Sequence, residues 1–429
     1  MPSANAIGLG DPIRFASGTS VLAGGSLARS AAFSGFLYAQ AESCSRSFIY
    51  VRPPASNANR WVYENSKIIL EVNFMNITEK LNQLFRDLEE KDEFSGVVLI
   101  TKGETELYTG AFGYASRTWK IRNTLDIRFD TASITKLFTT VAILQLIDKE
   151  LLTFETSVIG YLGLEGTNIS KDVNVYHLLT HTSGIGDDCE EEAGENYEDL
   201  WKTKPNYSVR NTEDFLPQFI QKEPNFAPGE GCRYCNCSFI LLGLMIEKAT
   251  DMSYRDYVRK HIFEKVNMCH SDFYEMDQVN EKIAEGCDPI RNEAGEIEGW
   301  KKNIYSYPPI GSPDSGAHVT AGDLDRFLRA IQSGELLSRE LTEALLTPQV
   351  EYSQKDDWVM KYGYCLWFYV EKNGKIVCYQ KEGVNAGVSG LVRYFPEQDI
   401  NVVMLSNMED GVWEPIRKIH ELIVAEKFE

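Results

Sequence analysis

The chain has 429 residues, 43% apolar and 25% charged, which is enough for one large domain or two moderate ones with a substantial core. Its formal net charge of −20 argues against nucleic acid and anionic membrane surfaces as partners, because both are polyanions. It has no uncharged apolar run of about 18 residues, so no membrane span is expected.

The first 74 residues differ from the rest in charge and pattern. They carry six Lys or Arg and four acidic residues, a net charge of +2, which leaves −22 for the remainder. They are rich in Ser, Ala and Gly and show no helical or strand period. We interpret residues 1–74 as an irregular N-terminal extension, either disordered or not native because translation begins at Met75. A targeting segment over residues 1–41, ending in Ala39-Gln40-Ala41, is the alternative, so export or organelle targeting stays open.

The cysteine pattern indicates a reducing, cytoplasmic compartment. Nine cysteines is an odd number, and most lie in apolar segments, which does not suit a disulfide framework. The stretch CRYCNC, residues 232–237, invites a zinc interpretation, but no second pair follows at finger spacing. We therefore predict no metal and no cofactor.

The elements begin with an amphipathic helix from Met75 in MNITEKLNQLFRDLEE. Two strands over residues 95–115 follow, joined by a turn at Lys102-Gly103-Glu104. A long apolar helix then begins near Ser133, and a mostly helical region comes after it. A further helix starts after Thr320.

Strands return in the last third of the chain. The segments YGYCLWFYVE, KIVCYQKEG, GLVRYF and DINVVMLSN alternate with turn signals, and a final helix covers about residues 412–427. These elements predict an α+β fold with one antiparallel sheet formed from both ends of the chain and flanked by helices. The predicted domain covers residues 75–429, with an α/β part (75–150 and 311–429) and an inserted, mostly helical part (151–310).

The stretch FDTASITKLFTTVAILQL, residues 129–146, places Ser133 and Lys136 three positions apart at the start of a helix. Residues at this spacing share a helix face, so the lysine amine can reach the serine hydroxyl group. The positive end of the helix dipole and burial would both lower the pKa of Lys136, and a neutral lysine can accept the serine proton. An ordinary buried helix with a snorkelling lysine explains this stretch alone equally well.

Two further triplets favour a catalytic role for Ser133 and Lys136. Tyr234-Cys235-Asn236 lies in a loop marked by Pro and Gly just before an apolar helix, where side chains can face a cleft. Lys381-Glu382-Gly383 ends a β-strand and precedes small residues that keep the backbone approachable. Their order after Ser133 and their settings distinguish them from chance triplets of the same form.

With these three motifs the chain resembles the serine β-lactamase and penicillin-binding-protein superfamily, in particular its class C-like esterase and peptidase branch. The resemblance covers about Phe94 to Ile423 and includes the stretches LLTHTSGI and PGEGCRYCN. It implies a β-lactamase/transpeptidase-like fold. It also implies that Ser133 attacks a carbonyl group to form an acyl-enzyme, while Lys136 and Tyr234 share the proton transfers.

The resemblance assigns the remaining site residues by motif position. Asn236 would orient Lys136 or a substrate amide, and Lys381 would stabilise the tyrosine phenolate or help relay its proton. The oxyanion hole would use the backbone N–H groups of Ser133 and Val384, which follows Gly383. A Ser-His-Asp triad through His181 is disfavoured, because no Gly-x-Ser-x-Gly turn occurs in the chain.

Glu382 departs from the pattern of the superfamily. Members that bind β-lactams or D-alanyl peptides usually carry a hydroxyl residue there, which helps to hold the substrate carboxylate. An anion at this position puts β-lactamase and carboxypeptidase activity in doubt.

The sequence therefore predicts a serine hydrolase of small neutral esters, a carboxylesterase that needs no cofactor. Its partner would be a small-molecule ester or amide, and the pattern predicts no particular oligomeric state. A peptidase of the D-amino-acid type, with Glu382 binding a substrate amine, and a weak β-lactamase are the alternatives. In a third class, the chain is a sensor module that is acylated but does not turn over.

Overall fold

The protein is described by a computed structural model, which covers residues 77–354 and 358–426. The predicted extension over residues 1–74 and the predicted start at Met75 lie outside these residues. Among the residues described, no helix has both the length and the apolar character needed to span a bilayer.

Strands and helices alternate in the order expected for an α+β fold. In chain order the strands are β1 (Gly96–Lys102), β2 (Thr105–Phe112), β3 (Tyr114–Ser116), β4 (Ile121–Arg122), β5 (Phe129–Asp130), β6 (Cys287–Arg291), β7 (Ile297–Lys302), β8 (His318–Val319), β9 (Val350–Gln354), β10 (Trp358–Tyr362), β11 (Trp367–Glu371), β12 (Ile376–Asn385), β13 (Val388–Phe395) and β14 (Ile400–Ser406). The helices are α1 (77–90), α2 (Thr135–Asp148), α3 (Val158–Leu162), α4 (Val175–Leu179), α5 (Tyr197–Leu200), α6 (Asn236–Thr250), α7 (Tyr254–Val258), α8 (Ala321–Gln332), α9 (Arg339–Leu345) and α10 (Trp413–Glu426).

The central sheet joins both ends of the domain, as predicted. Its order is β2-β1-β14-β13-β12-β11-β10-β9, and every neighbouring pair is antiparallel. Because β1 pairs with β14, the first and last strands of the fold lie side by side, with Val98 opposite Met404. The predicted α+β class and sheet are confirmed.

The sheet has eight strands, whereas the sequence analysis predicted six. The two additional strands are β9 and β10, which were not predicted. The segment YGYCLWFYVE, interpreted as one strand, begins with Tyr362 at the end of β10 and contains the turn into β11. Cys365 adopts a φ of 70° there, and the N–H group of Gly363 donates to the carbonyl group of Leu366 at 2.8 Å. Continuous apolar character hid this turn, because its residues are as buried as those of the strands.

Each face of the sheet supports its own core, because successive strand residues point to opposite sides. On one face, side chains such as Val97, Leu99 and Val403 join the main core with α2 and α6. On the other face, Val98 and Met404 pack in a second core with α1 and α10. The sheet is thus sandwiched between helices, and the turn that contains Ser133 immediately precedes α2.

The region over residues 151–310 is less regular than the predicted helical insertion. It contains α3 to α7, but also the two-stranded hairpin of β6 and β7. Its longest helix, α6, packs against α2 in the main core. That contact places the loop before α6 beside the start of α2.

Candidate active site

Ser133 lies in a tight turn between β5 and α2. The turn is a 3₁₀ helix over Ala132–Ile134, and Ala132 has a φ of 42°, a region that L-residues rarely adopt. Its N–H group donates to Oδ1 of Asp130 at 2.7 Å. The hydroxyl group of Thr131 donates to the carbonyl group of Ala317 at 2.8 Å. These bonds hold a strained backbone that leaves Ser133 only partly buried.

Lys136 is the second residue of α2 and is completely buried. Its Nζ contacts Oγ of Ser133 at 3.0 Å, Oδ1 of Asn236 at 2.8 Å and the carbonyl oxygen of Asp314 at 2.7 Å. Burial lowers the pKa of Lys136, the Asp314 carboxylate opposes this shift and the charge of Lys381 adds to it. The predicted direction of the pKa is therefore confirmed, with burial as its main cause.

Tyr234 reaches the same serine from the opposite side. Its hydroxyl group lies 2.8 Å from Oγ of Ser133. Burial raises the pKa of Tyr234 well above its usual value, although the contact with Ser133 lowers it somewhat. The resting side chain is therefore a phenol, which can donate a proton.

The start of α6 is held by residues that the sequence analysis did not single out as site residues. Asp187 accepts the N–H groups of Asn236 at 2.8 Å and Cys237 at 2.9 Å, which caps the helix. His181 has a φ of 55°, and its Nδ1 accepts the N–H group of Cys235 at 3.0 Å. Burial lowers the pKa of His181 well below its usual value, so its ring is neutral. No local motif predicts the capping role of Asp187, because its partners lie about fifty residues along the chain.

Strand β12 packs directly on the serine turn. A Cβ atom at Gly383 would lie 2.1 Å from the carbonyl oxygen of Thr131 and 2.8 Å from the nitrogen of Ser133, so only glycine fits there. This contact brings the following residue, Val384, next to the turn. Lys381, which is 1% exposed, has its Nζ 4.9 Å from the ring centre of Tyr234.

Glu382 faces the other way. Its cross-strand partner Leu391 belongs to the second core, whereas the partner of Lys381, Val392, belongs to the main core. The carboxylate of Glu382 is half-buried and accepts a hydrogen bond from Nε2 of Gln380 at 3.1 Å. Its charge still contributes to the raised pKa of Tyr234, so it is felt at the site without contacting Ser133.

Two more acidic side chains lie near the cleft. Burial raises the pKa of Glu191 to about 7, with Asp187 adding to the shift and Lys136 opposing it. The neighbouring Glu192 accepts the N–H group of Tyr234 at 3.1 Å and the hydroxyl group of Tyr352 at 3.2 Å. The surroundings of the predicted nucleophile are therefore acidic.

Three side chains of the types that bind metal ions cluster near the start of α6. Oxygens of Asp187 and Asp188 and the sulfur of Cys237 come within 4.8 Å of one another, and all three residues are buried. Both Asp187 oxygens already accept backbone N–H groups. The grouping therefore has a structural explanation, and the absence of a metal stays a prediction.

The three motifs thus meet at one point. Ser133, Lys136, Tyr234 and Asn236 form a connected set of contacts, and Lys381 flanks the tyrosine ring. Gly383 packs against the serine turn and is followed by Val384, whereas Glu382 is the predicted site residue whose side chain faces away from it.

Comparison with known proteins agrees with this geometry. The family model described as Beta-lactamase matches residues 81–425. Penicillin-binding protein 4* of Bacillus subtilis is 29% identical over 346 residues, which covers 78% of this chain and 73% of that protein. The solved structure of a penicillin-binding protein from Bacillus halodurans is 36% identical, with a TM-score of 0.72, and the match covers 79% of this chain and 99% of that one.

An octameric penicillin-binding protein homologue from Pyrococcus abyssi shares the fold, with 24% identity and a TM-score of 0.69 over 81% of this chain and 77% of that one. The family match extends from the first helix to the last, so it includes all three motifs. The chain therefore belongs to the β-lactamase family of serine hydrolases.

Proposed function

We propose that this protein hydrolyses small neutral esters through an acyl-enzyme on Ser133, with Lys136 as the base and Tyr234 as the acid. The proposal rests on one observation, the set of partners around Lys136. Of its three contacts, Asn236 Oδ1 and the Asp314 carbonyl group can only accept hydrogen bonds. A neutral amine has two N–H bonds and one lone pair, so with both N–H bonds used its lone pair is directed at Ser133.

Acylation follows from these positions. Nζ of Lys136 takes the proton of Ser133 while Oγ forms a bond to the ester carbonyl carbon. Backbone N–H groups of Ser133 and Val384 would stabilise the developing oxyanion, each contributing about 3 kcal/mol. The hydroxyl group of Tyr234 then protonates the alkoxide as the bond to carbon breaks, and the alcohol leaves. Lys136 is now an ammonium ion and Tyr234 a phenolate.

Deacylation reverses the proton transfers. The phenolate of Tyr234, stabilised by the charges of Lys136 and Lys381, takes a proton from water as the water oxygen attacks the acyl carbon. When the second tetrahedral intermediate collapses, Ser133 leaves and recovers its proton from Lys136. The carboxylic acid is released, and all three side chains return to their starting states.

The acidic surroundings support a neutral substrate. Penicillins and cephalosporins carry a carboxylate near the scissile bond, and the charge of Glu192, with that of Glu382 at longer range, would repel it. A substrate amine would be attracted by the same charges, which supports a peptidase of the D-amino-acid type as the second candidate. A neutral ester is neither repelled nor attracted by these carboxylates.

The test is a panel of p-nitrophenyl esters, D-amino-acid p-nitroanilides and a chromogenic cephalosporin on one preparation, with Ser133→Ala as the control. We expect rapid turnover of short neutral esters that disappears in the control. Preferred turnover of the amides would support the peptidase. A burst equal to the enzyme concentration without turnover would identify a sensor module and overturn the proposal.

A further inference from the structure

A cavity of about 350 Å³ is lined by residues of β5 and β8, the strands that precede the serine turn and pair across from it. Asp130 and His318 line it, together with Tyr274 and Tyr307, but Ser133 and the other proposed catalytic residues do not. Its volume lies within the range of small-molecule sites in proteins. It is therefore a separate space from the cleft in which the proposed ester hydrolysis occurs.

The carboxylate of Asp130 is the most unusual group in this cavity. Asp130 is 7% exposed, and Oδ1 accepts the N–H group of Ala132. The hydroxyl group of Tyr307 lies beside the carboxyl group, but no hydrogen bond of normal length reaches Oδ2 from any residue within 77–354 or 358–426. A buried carboxylate oxygen without a close donor is costly, so Oδ2 is able to accept a hydrogen bond from a ligand.

A second acceptor lies opposite this oxygen. His318 pairs with Asp130 across strands β5 and β8, and its Nδ1 lies 3.2 Å from the carbonyl oxygen of Gly316. A carbonyl oxygen only accepts, so Nδ1 carries the proton and Nε2 is left as an acceptor. Burial lowers the pKa of His318, which keeps the ring neutral. Two neighbouring acceptors favour a ligand with several hydrogen-bond donors.

The other charges on the cavity wall are already balanced. Glu285 pairs with Lys302 at 2.8 Å, and Glu275 pairs with Arg210 at 2.7 Å. Within the described part of the chain, no ion pair joins Asp130 to a cation. The basic group that acts on its carboxyl group is His318, whose ring is neutral. Burial raises the pKa of Asp130, because no cation balances the charge of its ionised form, and a cationic ligand would supply that balance.

We propose that this cavity binds a small protonated primary amine, whose ammonium group donates to Oδ2 of Asp130 and Nε2 of His318. An ammonium group has three donors and no acceptor, which matches the two acceptors and the unbalanced charge. The rings of Tyr274 and Tyr307 offer apolar surface to the rest of the ligand. The site is distinct from the ester cleft and does not depend on the proposed hydrolysis.

The test is calorimetric titration of the full-length protein with benzylamine, benzyl alcohol and benzoate. We expect saturable binding of benzylamine, and binding of the other two that is at least about tenfold weaker. Asp130→Asn should weaken benzylamine binding by about tenfold or more, because it removes the charge and keeps an acceptor for Ala132. The matched control Asp126→Asn, an exposed acid on the same segment, should leave it unchanged.

Three outcomes would overturn the proposal: no saturable binding, equal affinity for all three probes, or unchanged affinity in Asp130→Asn. If the amine instead enters the ester cleft, Glu192→Gln will weaken binding and Asp130→Asn will not, which also counts against the cavity. Should Asp130→Asn fail to fold, Ala284→Leu fills part of the cavity while keeping Asp130. Loss of binding in that variant supports the site, and unchanged binding rejects it.

Discussion

At the scale of single residues, the candidate site separates the pKa values of two groups that contact one serine. Burial lowers the pKa of Lys136 and raises that of Tyr234, since each loses solvation of its charged form. Both shifts favour the neutral form, in which Lys136 can act as a base and Tyr234 as an acid. Such a divergence is a general sign of acid and base roles.

The first prediction concerns Tyr234. Tyr234→Phe should lower kcat on a p-nitrophenyl ester by about 10² to 10⁴-fold, because it removes the group that takes the proton of the deacylating water. Tyr362→Phe is the matched control, since Tyr362 is also buried but its hydroxyl group has no partner among the described residues. Both variants should retain the wild-type circular dichroism spectrum. Near wild-type turnover by Tyr234→Phe would remove the tyrosine from the mechanism.

The second prediction concerns pH. The proposed base must be neutral, so kcat/KM should fall as pH decreases through the lowered pKa of Lys136. The Asp314 carboxylate raises this pKa, so Asp314→Asn should lower it further and move the acidic limb of the profile to lower pH. The control Asp251→Asn lies at the exposed end of α6 and should not move the limb. A limb that stays in place, or moves to higher pH, contradicts the role of Lys136.

The third prediction concerns Glu382. Two like charges about 4 Å apart repel by roughly 4 kcal/mol at an effective dielectric constant near 20. Because Glu382 faces the second core and contacts Gln380, we expect about half of this, close to 30-fold in kcat/KM. Glu382→Thr should therefore shift the ratio of kcat/KM values toward a cephalosporin relative to a neutral ester. Glu351→Thr, exposed on β9, is the control, and an unchanged ratio would show that Glu382 does not discriminate.

At the scale of elements, three segments far apart in the chain form the site by packing their ends together. The serine turn begins α2, the tyrosine loop begins α6, and the free end of β12 covers both. β11 pairs with β12 only as far as Gln380, so the backbone from Lys381 onward has no strand on that side. The helix starts are held by side-chain acceptors, Asp130 for the first and Asp187 for the second.

The fourth prediction tests the cap of α6. Asp187→Asn keeps one side-chain acceptor and loses the other, so one of two backbone N–H groups is left unsatisfied. We expect a loss of about 1–3 kcal/mol in the free energy of unfolding, measured with urea, and a lower kcat because Tyr234 and Asn236 shift. Asp172→Asn, an exposed acid, is the control and should change neither. Unchanged stability would show that the cap is dispensable.

At the scale of the whole molecule, helix α1 closes the second core from the N-terminal side. Leu81, Phe85 and Leu88 are buried, and the ring of Phe85 stacks on Phe112 with centres 5.0 Å apart. The core therefore needs this helix.

The fifth prediction follows from that packing. A chain beginning at Met75 should fold and retain full activity, whereas one beginning at Glu93 should lose several kcal/mol of stability because it exposes the second core. Thermal unfolding and ester hydrolysis of both chains are the measurements. Loss of activity in the longer chain would show that residues before Met75 belong to the domain.

Local sequence patterns predicted much of the fold. The short apolar runs of β1 and β14, the turn signals between the last strands, and the longer apolar runs of α2 and α6 were all legible, because each reports the length or the backbone preference of its own segment. The turn at Gly363–Leu366 could not be predicted from the sequence, since its burial comes from the surrounding structure. The caps by Asp187 and His181 were equally hidden, because their partners are distant in sequence.

The sequence by itself determined the family, the order of the elements and the residue types of the site, because motif spacing and period are local properties. Tertiary structure decided what those residues can do. Only packing buries Lys136 completely, points two acceptors at it and turns Glu382 to the far face of β12. The physical reason is that desolvation and hydrogen-bond geometry depend on neighbours from distant segments, which no local pattern contains.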